Sequence, residues 1–248
     1  MSNRDWLTAR PVAHRGLHDA RAGVIENTGS AFAAAIAGGF GIECDVQASR
    51  YGDAIVHHDF ELGRLTEGSG PLAALTAAEL KLVAFRDTTD RVLTLGELCD
   101  LVGGRVPLLV EIKSRFDGDP ALTRRVAAML ADYAGPAAAM SFDPDLIALL
   151  RAVAPGLTRG IVAEQHYAHP EWAGLPAFRK WQLRHLAHAG RTRPHFIAWS
   201  VRDLPALAPL VARRVFGLPL LTWTVRSEDD RRRAARWADQ VIFEGWRP

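Results

Sequence analysis

The chain has 248 residues, 48% hydrophobic and 23% charged, an ordinary globular composition able to bury a sizeable core as one large α/β domain or two small ones. A formal charge of only +2 excludes a general cationic field for nucleic acid or an anionic membrane, leaving at most a local basic cleft. No apolar run is long enough to span a bilayer, and the stretch from Met1 to Trp6 lacks the apolar core of a secretory leader. A cytoplasmic protein without stable membrane insertion is therefore expected.

Short apolar, β-branched runs alternate with longer stretches of helical period. In chain order, strands are predicted over residues 11–14, 42–46, 108–112, 137–141, 158–162, 196–200, 220–225 and 241–243. Helices are predicted over residues 28–37, 95–102, 122–133, 144–154, 179–188, 204–211 and 228–237. Asp143-Pro144 and Ser227-Glu228-Asp229 supply helix-start chemistry for two of these. About eight strands separated by helices argue for parallel pairing, and the count favours a closed (β/α)8 barrel. Periodicity alone does not separate a barrel from a doubly wound sheet, but no G-x-G-x-x-G or P-loop run supports the latter.

Residues 53–94 break the rhythm with a β-hairpin at 54–58, a Gly-containing turn at 67–70 and a short helix near 76–82. Residues 163–194 form a second long interruption. They are expected to cover the barrel mouth with Trp172, Leu175, Phe178 and Trp181. No composition shift marks a second domain, so residues 1–248 read as one. Cys44 and Cys99 lie in apolar stretches outside any ligand-like cluster and are expected to be buried free thiols.

Active sites of such barrels form at the C-terminal strand ends. Strand one ends in His14-Arg15-Gly16, strand two carries Glu43 and Asp45, and strand three carries Glu111 and Lys113. Two-residue spacing puts each pair on one face. A lone carboxylate pair would serve equally in structural ion pairs. Three converging carboxylates repel, and oxygen-only donors favour a hard cation, Mg2+ or Ca2+. His14 and His58 are candidate proton carriers. His57 should face away from His58, supporting the site from behind or lying exposed. Arg15 and Lys113 could bind phosphate, although charge balance alone would also explain Lys113.

In order along the chain stand Ala13-His14-Arg15-Gly16, Glu26-Asn27-Thr28, Glu43-Cys44-Asp45-Val46, His58-Asp59, Leu65-Thr66-Glu67-Gly68, Glu111-Ile112-Lys113, Ser141-Phe142-Asp143-Pro144 and Trp223-Thr224-Val225. This series resembles the glycerophosphodiester phosphodiesterase family and spans most of the chain. The resemblance implies a TIM barrel with a small insertion after strand two, residues 59–93, and a divalent metal on Glu43, Asp45 and Glu111. It implies His14 and His58 as acid and base in either order, with Arg15 and Lys113 on the phosphate. Glu26 and Asn27 would order the first loop, reach the metal's outer sphere and help bind substrate, and Trp223 would lie at the substrate. Implied products are glycerol 3-phosphate and an alcohol, the nucleophile being water or a neighbouring glycerol hydroxyl. Leu93, Arg226 and Phe243-Glu244 depart from the family pattern, and we place these departures on the far side of the barrel. The expected partner is a small phosphodiester, since Arg231-Arg232-Arg233 reads as a solvated helix face and not a nucleic-acid stripe. A lysophospholipase-D-like activity, or a non-catalytic barrel binding phosphorylated ligands, are the alternatives.

Overall fold

The computed structural model describes residues 4–248; Met1, Ser2 and Asn3, where the leader reading begins, lie outside the described residues. Eight parallel strands form the ring: β1 (Val12–Ala13), β2 (Gly41–Ala48), β3 (Leu108–Ile112), β4 (Ala137–Ser141), β5 (Thr158–Ala163), β6 (Phe196–Ser200), β7 (Leu220–Val225) and β8 (Gln240–Phe243). β1 closes it by pairing on both sides. Val12 lies opposite Gly41 and Ile242, and Ala13 opposite Ile42 and Phe243. With helices between strands, this is a (β/α)8 TIM barrel.

Alternation along the strands separates two cores. Val12, Leu109, Met140, Val162, Phe196 and Ile242 fill the barrel interior, with Leu7 of the helix Trp6–Ala9 packed against them. The other face carries Ile42, Cys44, Val46, Val110 and Ile112 against the surrounding helices. Glu43 and Asp45 alternate with the outward residues of β2 and therefore point inward. Gly160 shows how tightly the interior is filled. It pairs with Phe196 across β5 and β6, and a β-carbon there would lie 2.2 Å from the Phe196 ring.

Several helix boundaries follow local chemistry. Thr94 and Ser227 form capping boxes with Glu97 and Asp230, and the Asp143 side chain caps the helix Pro144–Val153. Two predicted helices are corrected. The 179–188 helix is Ala177–Arg184 followed by Ala189–Thr192, because Leu186 at φ 52° interrupts it. The 204–211 helix is Leu207–Phe216, because Pro205 holds Leu204 extended and Gly217 in the left-handed region ends the helix.

Just before the insertion, Ala54–Val56 folds back antiparallel onto β2, Val56 opposite Val46. The two-residue strands Glu61–Leu62 and Gly70–Pro71 then pair, and the helix Ala77–Leu82 starts with a Thr76–Glu79 capping box. Ile25, Ile55, Leu72, Leu80 and Phe85 give this region its own apolar cluster. Both cysteines are free; Cys44 is buried, whereas Cys99 is only partly so, against expectation. Among the described residues no helix is long and apolar enough to cross a membrane.

The Gly160–Phe196 contact yields a stability test. Gly160→Ala should destabilise the fold by about 1–3 kcal/mol through overpacking, read as a lower urea midpoint at unchanged slope. Adding Phe196→Leu should recover part of that loss.

Candidate active site

The site starts from strand register. Asp45 lies directly opposite Glu111, so β2 and β3 bring their inward carboxylates together. Oxygens of Glu43, Asp45 and Glu111 lie within 4.8 Å of one another, and all three residues are buried. Lys113 Nζ sits 2.8 Å from Asp45 Oδ1 and 2.6 Å from Glu111 Oε1.

The loop after β1 closes on this cluster with two non-glycine residues in the left-handed region, Arg15 at φ 56° and Asn27 at φ 58°. Such a backbone costs roughly 1–3 kcal/mol at a residue like Arg15 and persists only where the surroundings impose it. Here they do. The Arg15 N–H donates to Glu43 Oε2 at 2.9 Å, and the Asn27 N–H donates to the Arg15 carbonyl at 2.9 Å. The Asn27 amide donates to Asp45 Oδ2 at 2.9 Å, where Arg15 Nε also lies, 3.2 Å away. Arg15 Nη1 donates to Glu26 Oε1 at 2.7 Å. Arg64, from the insertion, ties Glu26 to Asp59.

Three carboxylates against Arg15 and Lys113 leave one negative charge unbalanced, and the electrostatics show where it falls. Burial, then Asp45 and Glu111, push Glu43 well above its ordinary value. Burial would also raise Asp45, but Lys113 and Arg15 outweigh it and hold Asp45 well below the carboxylate range. A buried, oxygen-only donor set with excess negative charge fits a hard divalent cation.

Both histidines line the same cavity. His14 Nδ1 lies 2.6 Å from Glu244 Oε2, with Nε2 turned towards Glu43 at 4.0 Å. Burial pushes His14 down to about 4, against the raising pull of Glu244. His58 Nδ1 lies 2.8 Å from Asp59 Oδ1, and the His58 carbonyl accepts from Gln47 Nε2 at 2.7 Å. His57 is buried, which removes the exposed alternative, and it does not line the cavity.

The cavity holds about 290 Å³ and includes Arg15, Lys113 and Trp223 on its walls. Trp223 is fixed by a 3.0 Å bond from Nε1 to the Ala198 carbonyl and by an edge contact with Phe142. Glu26 and Asn27, expected at the substrate, do not line the cavity; they brace Arg15 and Asp45 from behind it. The segment 163–194 covers this mouth only in part. Trp172 packs on Phe142 and Tyr167 and lines the cavity, and Leu175 lines an adjoining space. Phe178 and Trp181 correct the expectation: they stack on each other, well exposed, and line neither.

Several residues at the site escaped the sequence reading, three of them at strand ends. Glu164, Arg226 and Glu244 each follow the last residue of a barrel strand by one position. Glu164 and Arg226 line the cavity, and Glu244 contacts His14. Arg226 and Glu244 had been placed on the far side; the strand-end rule, applied to strands five, seven and eight, would have found all three. Glu164 has a buried Oε1 without a hydrogen-bond partner among the described residues, and burial lifts this carboxyl to about 7.

Glu26 supplies a pH test. Burial would raise its pKa, but Arg64 and Arg15 hold it down at about 2. A depressed carboxylate contributes stability above its unfolded pKa and loses it as pH falls through the folded one. The difference in melting temperature between wild type and Glu26→Gln should stay constant above pH 6. It should close as pH falls from 4.5 towards 2.

Comparison with known proteins identifies the family. Residues 14–244 match the model of the glycerophosphoryl diester phosphodiesterase family. A glycerophosphodiester phosphodiesterase of Caldanaerobacter subterraneus subsp. tengcongensis is 28% identical over 94% of this chain and 93% of its own. The crystal structure of a glycerophosphodiester phosphodiesterase from Thermotoga maritima superposes with a TM-score of 0.70 at 26% identity, covering 94% of both chains. A phosphodiesterase of Oleispira antarctica, solved in complex with the product sn-glycerol-3-phosphate, shares the fold with a TM-score of 0.78 at 19% identity, over 97% of this chain and 94% of that one. The chain belongs to the glycerophosphoryl diester phosphodiesterase family, a family of phosphoric diester hydrolases.

Proposed function

We propose that this enzyme hydrolyses glycerophosphodiesters to glycerol 3-phosphate and an alcohol, with residues 1–248 acting as one catalytic domain. One observation carries the reading: two histidines, each with Nδ1 against a carboxylate, share a cavity with three clustered carboxylates and two cations. Family membership and the product bound by the Oleispira relative support the substrate class.

In this reading Glu43, Asp45 and Glu111 hold Mg2+ or Ca2+. Such a cation, when bound, neutralises phosphate charge and polarises a phosphoryl oxygen. The Arg15 guanidinium, held in one orientation by Glu26 and Asp45, and the Lys113 ammonium bind phosphate oxygens and offset charge developing on them. Of His14 and His58, one takes the proton from the attacking water or glycerol hydroxyl and the other delivers one to the leaving alkoxide. With each Nδ1 engaged, Nε2 is the atom left for transfer. Trp223, Phe142 and Trp172 form an aromatic wall for the rest of the substrate, and Glu164 offers an acceptor there.

His14→Ala and His58→Ala should each lower turnover by about 10²–10⁴-fold while retaining Mg2+ or Ca2+ affinity in a calorimetric titration. Glu43→Ala should lose both. If a histidine variant loses metal binding as severely as Glu43→Ala, that histidine is a metal ligand and the division of roles fails.

The cover makes a second, separate expectation. Trp172→Ala should change the ratio of kcat/KM between small and bulky leaving alcohols, because remote binding energy acts through whatever contacts the alcohol. Trp181→Ala should leave that ratio unchanged. Equal behaviour of the two variants across a glycerophosphodiester and lysophospholipid panel would remove Trp172 from substrate selection.

A further inference from the structure

We infer that Glu244, clamped by Arg226, is a positioning residue that sets the tautomer and orientation of His14. The inference rests on reading His14 as a proton carrier, but its geometry stands apart from that reading. β7, β8 and β1 are consecutive neighbours around the ring, with Val225 opposite Phe243 and Phe243 opposite Ala13. The next residue on each strand is therefore Arg226, Glu244 and His14, side by side where the strands leave the barrel. Backbone bonds continue the alignment one step: the Glu244 N–H donates to the Val225 carbonyl at 3.2 Å, and the His14 N–H to the Phe243 carbonyl at 2.9 Å.

Side chains complete a relay along this row. Arg226 Nε donates to Glu244 Oε1 at 2.7 Å, and Glu244 Oε2 meets His14 Nδ1 at 2.6 Å. An ionised carboxylate only accepts, so the proton between them belongs to Nδ1. Neutral His14 then carries its lone pair on Nε2, which faces Glu43 and the cavity. Burial would raise Glu244, but its bonds to His14 and Arg226, with His18 Nε2 a further 3.8 Å away, hold it well below the ordinary carboxylate range and keep it an acceptor. Because Arg226 occupies the other oxygen, the long glutamate arm has little freedom to turn away. His58 repeats the pattern through Asp59 and Arg64. Those partners come from one short loop, whereas the His14 relay exists only because three strands share one register.

The test reads the tautomer and the rate separately. In protein labelled with 15N-histidine, assigned by comparison with His14→Ala, His14 should be protonated at Nδ1 in wild type. In the near-isosteric Glu244→Met it should shift to the Nε2-protonated form that free imidazoles favour. Glu244→Met should lower kcat by about 10–100-fold, the range that outer partners of histidines show at metal sites, with KM within about twofold. Glu244→Gln, which keeps an acceptor oxygen, should recover part of the loss. Arg226→Met should lower kcat less and leave His14 protonated at Nδ1, which also covers the case where Glu244→Met folds poorly. An unchanged tautomer in Glu244→Met, or a loss carried by KM alone, overturns the proposal. Turnover surviving in His14→Ala would instead overturn the proton-carrier reading, while a tautomer shift in Glu244→Met would still support positioning by Glu244.

Discussion

Three carboxylates buried within 4.8 Å of one another repel strongly, and nothing apolar can hold them there. The surrounding structure is organised by the need to place positive charge and hydrogen-bond donors against them without filling the space between them. Lys113 comes from the same strand as Glu111, two residues on, and spans Glu111 and Asp45. Arg15 comes from the neighbouring loop and meets the cluster through backbone and side chain together. Asp45 is thereby fully engaged, whereas Glu43 keeps the unbalanced charge. A donor set this asymmetric could hold a further cation, since self-sufficient ion pairs would have neutralised all three.

That demand explains the unusual backbone beside the site. Arg15 and Asn27 adopt a conformation that side chains resist, and each is held by bonds to the strand carboxylates. Gly16 completes the turn against Ala31, where a β-carbon would lie 2.9 Å from its neighbour. Local strain and site electrostatics are therefore one feature: the loop conformation that aims the donors is kept by the charges it serves. The insertion takes part through Arg64, which joins Glu26 to Asp59 and so couples the Arg15 brace to the partner of His58.

The two long interruptions of the barrel have different jobs. The insertion after β2 carries its own apolar cluster and presents Asp59 and Arg64 as a stiff platform. The segment after β5 brings Trp172 to the cavity, packed against Phe142 and against its own Tyr167. Two further aromatics of the segment, Phe178 and Trp181, remain exposed. Length and aromatic content were the same kind of signal in all of them. Only packing separated a wall of the cavity from a surface stack.

Much of this protein was legible in the chain itself. About eight short, nearly continuous apolar runs alternating with helical ones favoured the barrel, because a strand buried on both faces and a helix buried on one leave different residue patterns. The spacing of Glu43 with Asp45, and of Glu111 with Lys113, put each pair on one face for the same reason. Helix limits near Leu186 and Pro205 were less legible, since a left-handed residue or a proline-restricted neighbour ends a helix without changing its hydrophobic period. What tertiary structure alone decided was lateral register. Arg226 and Glu244 were read as distant from His14, 18 and 230 residues apart in the pairs they form. Ring closure makes β8 the neighbour of β1, and no local pattern along one strand records which residue of another strand it will face.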